Sequence, residues 1–141
     1  MYEQLKLNNQ LCFPLYALSK EITRQYTPLL DNLDLTYPQY LVMLVLWEHE
    51  KQSVSEIGDK LHLDSGTLTP LLKRLQSKGL IERTRCPNDE RSVKITLTEQ
   101  GRALQELAKH IPEQLGSCLN LNADELAVLN KIVGQLTQKS S

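Results

Sequence analysis

Cysteine is scarce in this chain: three in 141 residues, Cys12, Cys86 and Cys118. Three scattered thiols suit neither a disulfide scaffold nor a zinc site. In a reducing compartment they rest as thiols, so a disulfide would act as a signal rather than a staple. Histidine is equally sparse, and His49, His62 and His110 lie too far apart in sequence for metal-ligand spacing. Neither a metal nor a cofactor is expected. No apolar run is long enough to span a bilayer, and no signal-peptide pattern opens the chain. These absences predict a soluble, cytoplasmic protein with no membrane partner. The chain is long enough to bury a core as one domain.

Net charge is also nearly absent, at −1. Its distribution is uneven. Residues 51–102 carry ten Lys and Arg against seven Asp and Glu, a net of +3, and the remainder carries six against ten, a net of −4. A modest cationic excess gathered on one face can dock on phosphates.

That basic middle contains the most patterned stretch, Leu63 to Gly79. Leu68, Leu71, Leu72 and Leu75 recur at helical spacing and make an apolar stripe. The opposite face carries Gly66, Thr69, Pro70, Lys73, Arg74 and Ser77. Asp64 or Ser65 can cap the start, Gly79 can end the helix in a left-handed turn, and Pro70 predicts a local distortion. A shorter helix, capped by Ser53 and Glu56, precedes it and ends near Leu61. The pair reads as a helix-turn-helix.

The rest follows the same logic. Residues 1–9 are polar and expected to be loosely ordered. A helix from Asn9 or Gln10 to Asp31 places Cys12 near its N-terminus, with Pro14 tolerable in the first turn. Thr36 and Gln39 form a capping-box spacing before a nearly all-apolar helix to Glu48, the expected central rod of the core. After Gly79 the period becomes alternating. Residues 80–85 and 93–97 read as two strands joined by a polar tip, a wing carrying Arg83, Arg85, Arg91 and Lys94. A long helix is expected over 99–115, bent at Pro112. A break at 116–121 holds Cys118, and a last helix runs from about Asn122 to Thr137.

A helix pair followed by a basic hairpin fits duplex DNA: a rod for the major groove and a cationic arm for the backbone or minor groove. Ser65, Gly66, Thr67 and Thr69 lie near the N-terminus of the rod, where its dipole favours phosphate. Lys73 and Arg74 extend that footprint, and Arg83 and Arg85 continue it onto the wing. Arg91 at the wing tip can enter a narrow minor groove. Asp89 can hold that arginine by a charge-assisted bond.

Leu80-Ile81-Glu82-Arg83, then Asp89-Glu90-Arg91-Ser92, then Leu97-Thr98-Glu99-Gln100-Gly101 resemble the wing and exit-helix signature of the MarR family of winged-helix repressors. The resemblance implies a mainly α fold: a winged helix-turn-helix with a two-stranded β wing, dimerised through N- and C-terminal helices. It divides the chain into a dimerisation helix (1–36), a DNA-binding lobe (37–98) and C-terminal dimerisation helices (99–141). Leu11-Cys12-Phe13-Pro14-Leu15-Tyr16, Tyr26 and Thr36-Tyr37-Pro38-Gln39-Tyr40 are similar to the organic-hydroperoxide-sensing branch of that family. That similarity implies that Cys12 is the redox sensor, that Tyr26 and Tyr37 hydrogen-bond its thiolate across a homodimer with Tyr16 nearby, and that Cys118 is the resolving cysteine. Its partners would be a pseudo-palindromic double-stranded operator and an organic hydroperoxide.

The residues support part of this independently. A helix N-terminus accommodates an anionic sulfur, the form that attacks peroxide oxygen. Tyr26 lies about 21 Å from Cys12 along a straight helix, so the two meet only if a partner helix brings them together. Three other readings stay open. They are a MarR-type repressor released by a small aromatic ligand, a thiol peroxidase, and a sequence-indifferent architectural DNA binder.

Overall fold

The computed structural model describes the backbone of residues 1–86 and 89–139, and within these all side chains except those of 86, 89–91, 117, 118, 138 and 139. Eight α-helices and three strands follow in the order α1 (Phe13–Asp31), α2 (Tyr37–Glu48), β1 (Lys51–Ser53), α3 (Val54–Leu61), α4 (Ser65–Ser77), β2 (Ile81–Cys86), β3 (Asp89–Leu97), α5 (Glu99–Ala103), α6 (Gln105–Ala108), α7 (Ile111–Cys118) and α8 (Ala123–Lys139). None of the described helices is long and apolar enough to cross a membrane.

The core forms around α2. Thr36 and Gln39 make the capping box that starts it, and Tyr40, Val42, Met43, Val45 and Leu46 are buried along it. Leu44 is exposed, so the rod is covered on most sides rather than all round. Ile57 of α3 and Leu68, Leu72 and Leu75 of α4 pack into the same cluster, as do Ile81, Ile95 and Leu97 of the sheet and Ile111 of α7. Truncating one such enclosed leucine costs about 3 kcal/mol.

The sheet has three strands in the order β1-β3-β2, all antiparallel. The two-stranded wing is therefore joined by a third strand that the sequence pattern conceals. Lys51-Gln52-Ser53 carries no apolar alternation, yet it pairs Lys51 with Thr96 and Ser53 with Lys94. Gln52 is buried on it, and its amide donates to the Val45 and His49 carbonyls at 2.8 and 2.7 Å while accepting from Lys60 at 2.8 Å. A buried amide so satisfied closes the end of α2.

Other expectations need correction. Residues 3–5 and 7–9 form two 3-10 turns, fastened by Asn9 and Gln10 side chains on the Glu3, Gln4 and Lys6 carbonyls. The first α-helix begins at Phe13 rather than at Asn9 or Gln10, which puts Pro14 in its first turn, where the missing N–H costs nothing. The distortion expected at Pro70 does not end α4, which runs on to Ser77. The long helix expected over 99–115 is three short ones, interrupted at Leu104 and at Lys109–His110. Its first segment is held down by Gly101, where an added Cβ would lie 2.2 Å from the Leu80 carbonyl oxygen. The expected break at 116–121 is shorter: α7 continues to Cys118, and the gap before α8 is 119–122.

Candidate functional site

Two regions carry the chemistry-bearing residues. The first is the exposed face of α4 with the wing. Asp64 caps the helix, its Oδ1 accepting from the Thr67 N–H at 2.7 Å, which holds that carboxyl below its usual range. Ser65, Gly66, Thr67, Lys73 and Arg74 are all exposed. Thr69 is half-buried, and its hydroxyl donates to the Ser65 carbonyl at 2.7 Å. It can still accept a bond but has no proton free to give. The helix ends where Gly79 adopts φ +79°, a conformation that glycine takes without cost.

Beyond it, Arg83 and Arg85 of β2 line a hollow with Gln76 of α4 and Val93 of β3. Arg83 is half-buried, and its Nε is enclosed with no hydrogen-bond partner among the described residues. Lys94, counted among the wing cations, instead lies 3.6 Å from Glu56 and ties β3 to α3. The side chains of Asp89 and Arg91 lie outside the described residues.

The second region is split between the ends of α1. At one end Cys12 is the N-cap residue and is exposed, not enclosed as a small core hydrophobe. Beside it the Tyr16 ring contacts Phe13 at 6.3 Å, and the Lys20 ammonium sits 5.4 Å from the Tyr16 ring centre. At the other end, the Tyr26 ring packs 4.5 Å from Tyr37 and 5.7 Å from Tyr40. Burial, then the neighbouring Tyr37 and Tyr40 hydroxyls, push the Tyr26 phenol up to about 12, and burial raises Tyr37 as well. Both phenols stay protonated and able to donate at any physiological pH.

The structure thus groups Tyr26 with Tyr37 and groups Cys12 with Tyr16, and does not join the two groups within one chain. It adds Tyr40 to the phenol cluster, a position that the i, i+3 spacing from Tyr37 on α2 could have revealed. Cys118 closes α7, and its side chain lies outside the described residues. Among the described residues, no group of three or more His, Cys, Asp and Glu could hold a metal ion.

Helix pair, recognition face and wing together define a winged helix-turn-helix protein, the architecture of DNA-binding regulators. Residues 24–107 match the family model for the transcriptional regulator SarA/Rot. The organic hydroperoxide resistance transcriptional regulator of Bacillus subtilis (strain 168) is 57% identical over 121 residues, which span 86% of this chain and 80% of that protein. Among solved structures, reduced AbfR bound to DNA superposes with TM-score 0.82 at 38% identity, covering 99% of this chain and 98% of that one. Disulfide-formed AbfR superposes with TM-score 0.70 at 39% identity, covering 99% and 96%. AbfR is a Staphylococcus epidermidis protein.

The chain belongs to the MarR family of winged-helix transcriptional regulators, in the group that contains the organic hydroperoxide resistance regulators. It is a regulator and not an enzyme.

Proposed function

We propose that this protein is a cytoplasmic, homodimeric repressor that holds a pseudo-palindromic operator while Cys12 is reduced and leaves it when an organic hydroperoxide oxidises that thiol. The observation that carries the reading is the placement of an exposed Cys12 at one end of α1 and two protonated phenols, Tyr26 and Tyr37, at the other. An antiparallel second copy of α1 would bring the phenols of one protomer to the cysteine of the other. Phenols that donate there stabilise the thiolate, and Tyr16 flanks the same end of the helix.

The chemistry balances without any bound group. The Cys12 thiolate attacks the distal peroxide oxygen, the O–O bond breaks, and the alcohol leaves after taking a proton, so that Cys12 becomes a sulfenic acid. The Cys118 thiol of the partner protomer then condenses with it, releasing water and forming an inter-subunit disulfide. Bonding distance requires the two Cα atoms within about 7 Å, so any larger starting separation forces the terminal helices to move.

On the DNA side, the N-terminal turn of α4 offers Ser65, Gly66 and Thr67 to phosphate or base edges, with Thr69 as an acceptor. Lys73 and Arg74 extend the contact. Arg83 and Arg85 offer their guanidinium groups to the DNA backbone from the wing.

Non-reducing electrophoresis after cumene hydroperoxide treatment tests the redox half. Wild type should run as a covalent dimer that dithiothreitol reverses. Cys118→Ser should stay at monomer mobility although its Cys12 thiol is consumed. A covalent dimer from Cys118→Ser would remove Cys118 from the mechanism.

A further inference from the structure

The end of the recognition helix is tied directly to the residue that caps the phenol-bearing turn. Gln39 is 2% exposed, and its Oε1 accepts two bonds. One comes from the Thr36 N–H at 3.1 Å, which completes the capping box of α2. The other comes from the Lys78 ammonium, also at 3.1 Å. Lys78 is the C-cap of α4, and its ammonium also donates to the Asp34 carbonyl and lies 3.8 Å from the Asp34 carboxylate. Asp34 sits in the α1–α2 turn with φ +54°. One lysine therefore grips a left-handed turn and a helix cap on one side and finishes the recognition helix on the other.

The distribution of groups gives this link two functional ends. Tyr37, whose ring packs against Tyr26, is the first residue of α2 and lies between Thr36 and Gln39 in sequence. Lys73, Arg74 and Ser77, on the last turns of α4, line one hollow with Gln39 and Lys78. A shift of the Tyr37 backbone displaces the Thr36–Gln39 cap that brackets it, and Gln39 Oε1 is the atom on which Lys78 rests. The link is a two-sided, charge-assisted contact between elements distant in sequence.

We propose that Lys78 and Gln39 are positioning residues that couple the tyrosine cluster to the recognition helix: while the contact is made, α4 is held in the attitude that binds DNA. This rests on the redox-repressor reading above and adds to it the place where the two regions are joined. Breaking the contact shifts each protomer toward the attitude that the oxidised protein adopts. It therefore lowers the affinity of the reduced protein and leaves that of the oxidised protein nearly unchanged.

Lys78→Met keeps the long unbranched stem and removes the ammonium, and Lys78→Arg keeps a cation with donors. The probe is a duplex selected from random-sequence DNA on the reduced wild-type protein. Affinity is read before and after cumene hydroperoxide, Cys12 thiol loss is followed in parallel, and thermal midpoints check the fold.

The expected result for Lys78→Met is a fall of about tenfold in reduced-state affinity, within the usual range for coupling between sites. The ratio of reduced to oxidised affinity should shrink by the same factor, with Cys12 oxidised as in wild type. Lys78→Arg should recover most of that ratio. A lysine that only touches phosphate would weaken both states alike and reduce the salt slope by about one unit, leaving the ratio intact, and that result overturns the proposal. A wild-type protein that keeps its DNA after Cys12 oxidation sinks the parent reading as well. Only the wild-type arm reports on that failure, so the two are told apart.

Discussion

Tyr26 shows how a side chain's surroundings fix its role. It packs between Tyr37 and Tyr40, and burial with those neighbours lifts its phenol to about 12. A raised folded-state value has a defined consequence for stability. Below pH 10, the ordinary phenol value, folded and unfolded forms are both protonated and the cluster contributes in full. As pH climbs from 10 toward 12, the unfolded chain loses the Tyr26 proton first and stability falls. An absorbance titration of the phenolate should show a late component above the ordinary phenol value, to which Tyr26, Tyr37 and Tyr40 all contribute, and Tyr26→Phe should remove one phenol from it. A Tyr26 that titrates at the ordinary phenol value of 10 would mean the cluster is open to water.

The same scale explains what could be read in the sequence. Cys12 at a helix start and its distance from Tyr26 follow from Pro14 and helical rise. The Lys78–Gln39 contact spans 39 positions, and no local pattern announces it. Thr69, an apparent DNA donor from its place on the exposed face, spends its proton on its own helix.

Among the elements, those with local start signals were the legible ones. The boxes Thr36–Gln39, Ser53–Glu56 and Asn122–Glu125 all form, because each pairs a short side-chain oxygen with an N–H three residues on. β1 was hidden because three polar residues become a strand only when β3 is beside them. The break at Lys109–His110 follows from Pro112, which has no N–H to give and sits in the first turn of α7, so the bend expected there becomes a full interruption, whereas the break at Leu104 has no such local signal.

The exit from the wing depends on one such packing contact. Thr98 accepts from the Gly101 N–H at 3.0 Å and donates to the Gly79 carbonyl at 2.7 Å, while the Trp47 indole N–H donates to the Gly101 carbonyl at 3.0 Å. Gly101→Ala drives a methyl into the Leu80 carbonyl oxygen. It should cost about 3 kcal/mol in chemical denaturation, the scale of overpacking a tight core site. A loss under about 0.5 kcal/mol, that of an ordinary surface change, would mean α5 can step away from β2 freely.

At the scale of the whole molecule, the distribution of apolar surface carries the account. None of the described side chains of α8 lies in the buried core, and Leu126, Val133 and Leu136 stand exposed along it. Leu11, 93% exposed, and half-exposed Phe13 and Leu15 do the same at the start of α1. These apolar faces are the surfaces that the proposed homodimer would cover. In a dimer they would carry Cys12 toward the partner's phenols and leave both recognition helices outward. The sensor and the DNA grip then occupy opposite parts of one body, and a change at the first reaches the second only through the helices between them.

The most direct measurement compares wild type and Cys12→Ser on the same selected duplex before and after cumene hydroperoxide, followed by dithiothreitol. Wild type should bind when reduced, leave the DNA on oxidation and return on reduction, while Cys12→Ser binds throughout. Release of Cys12→Ser by the peroxide to the same extent as wild type would contradict the account.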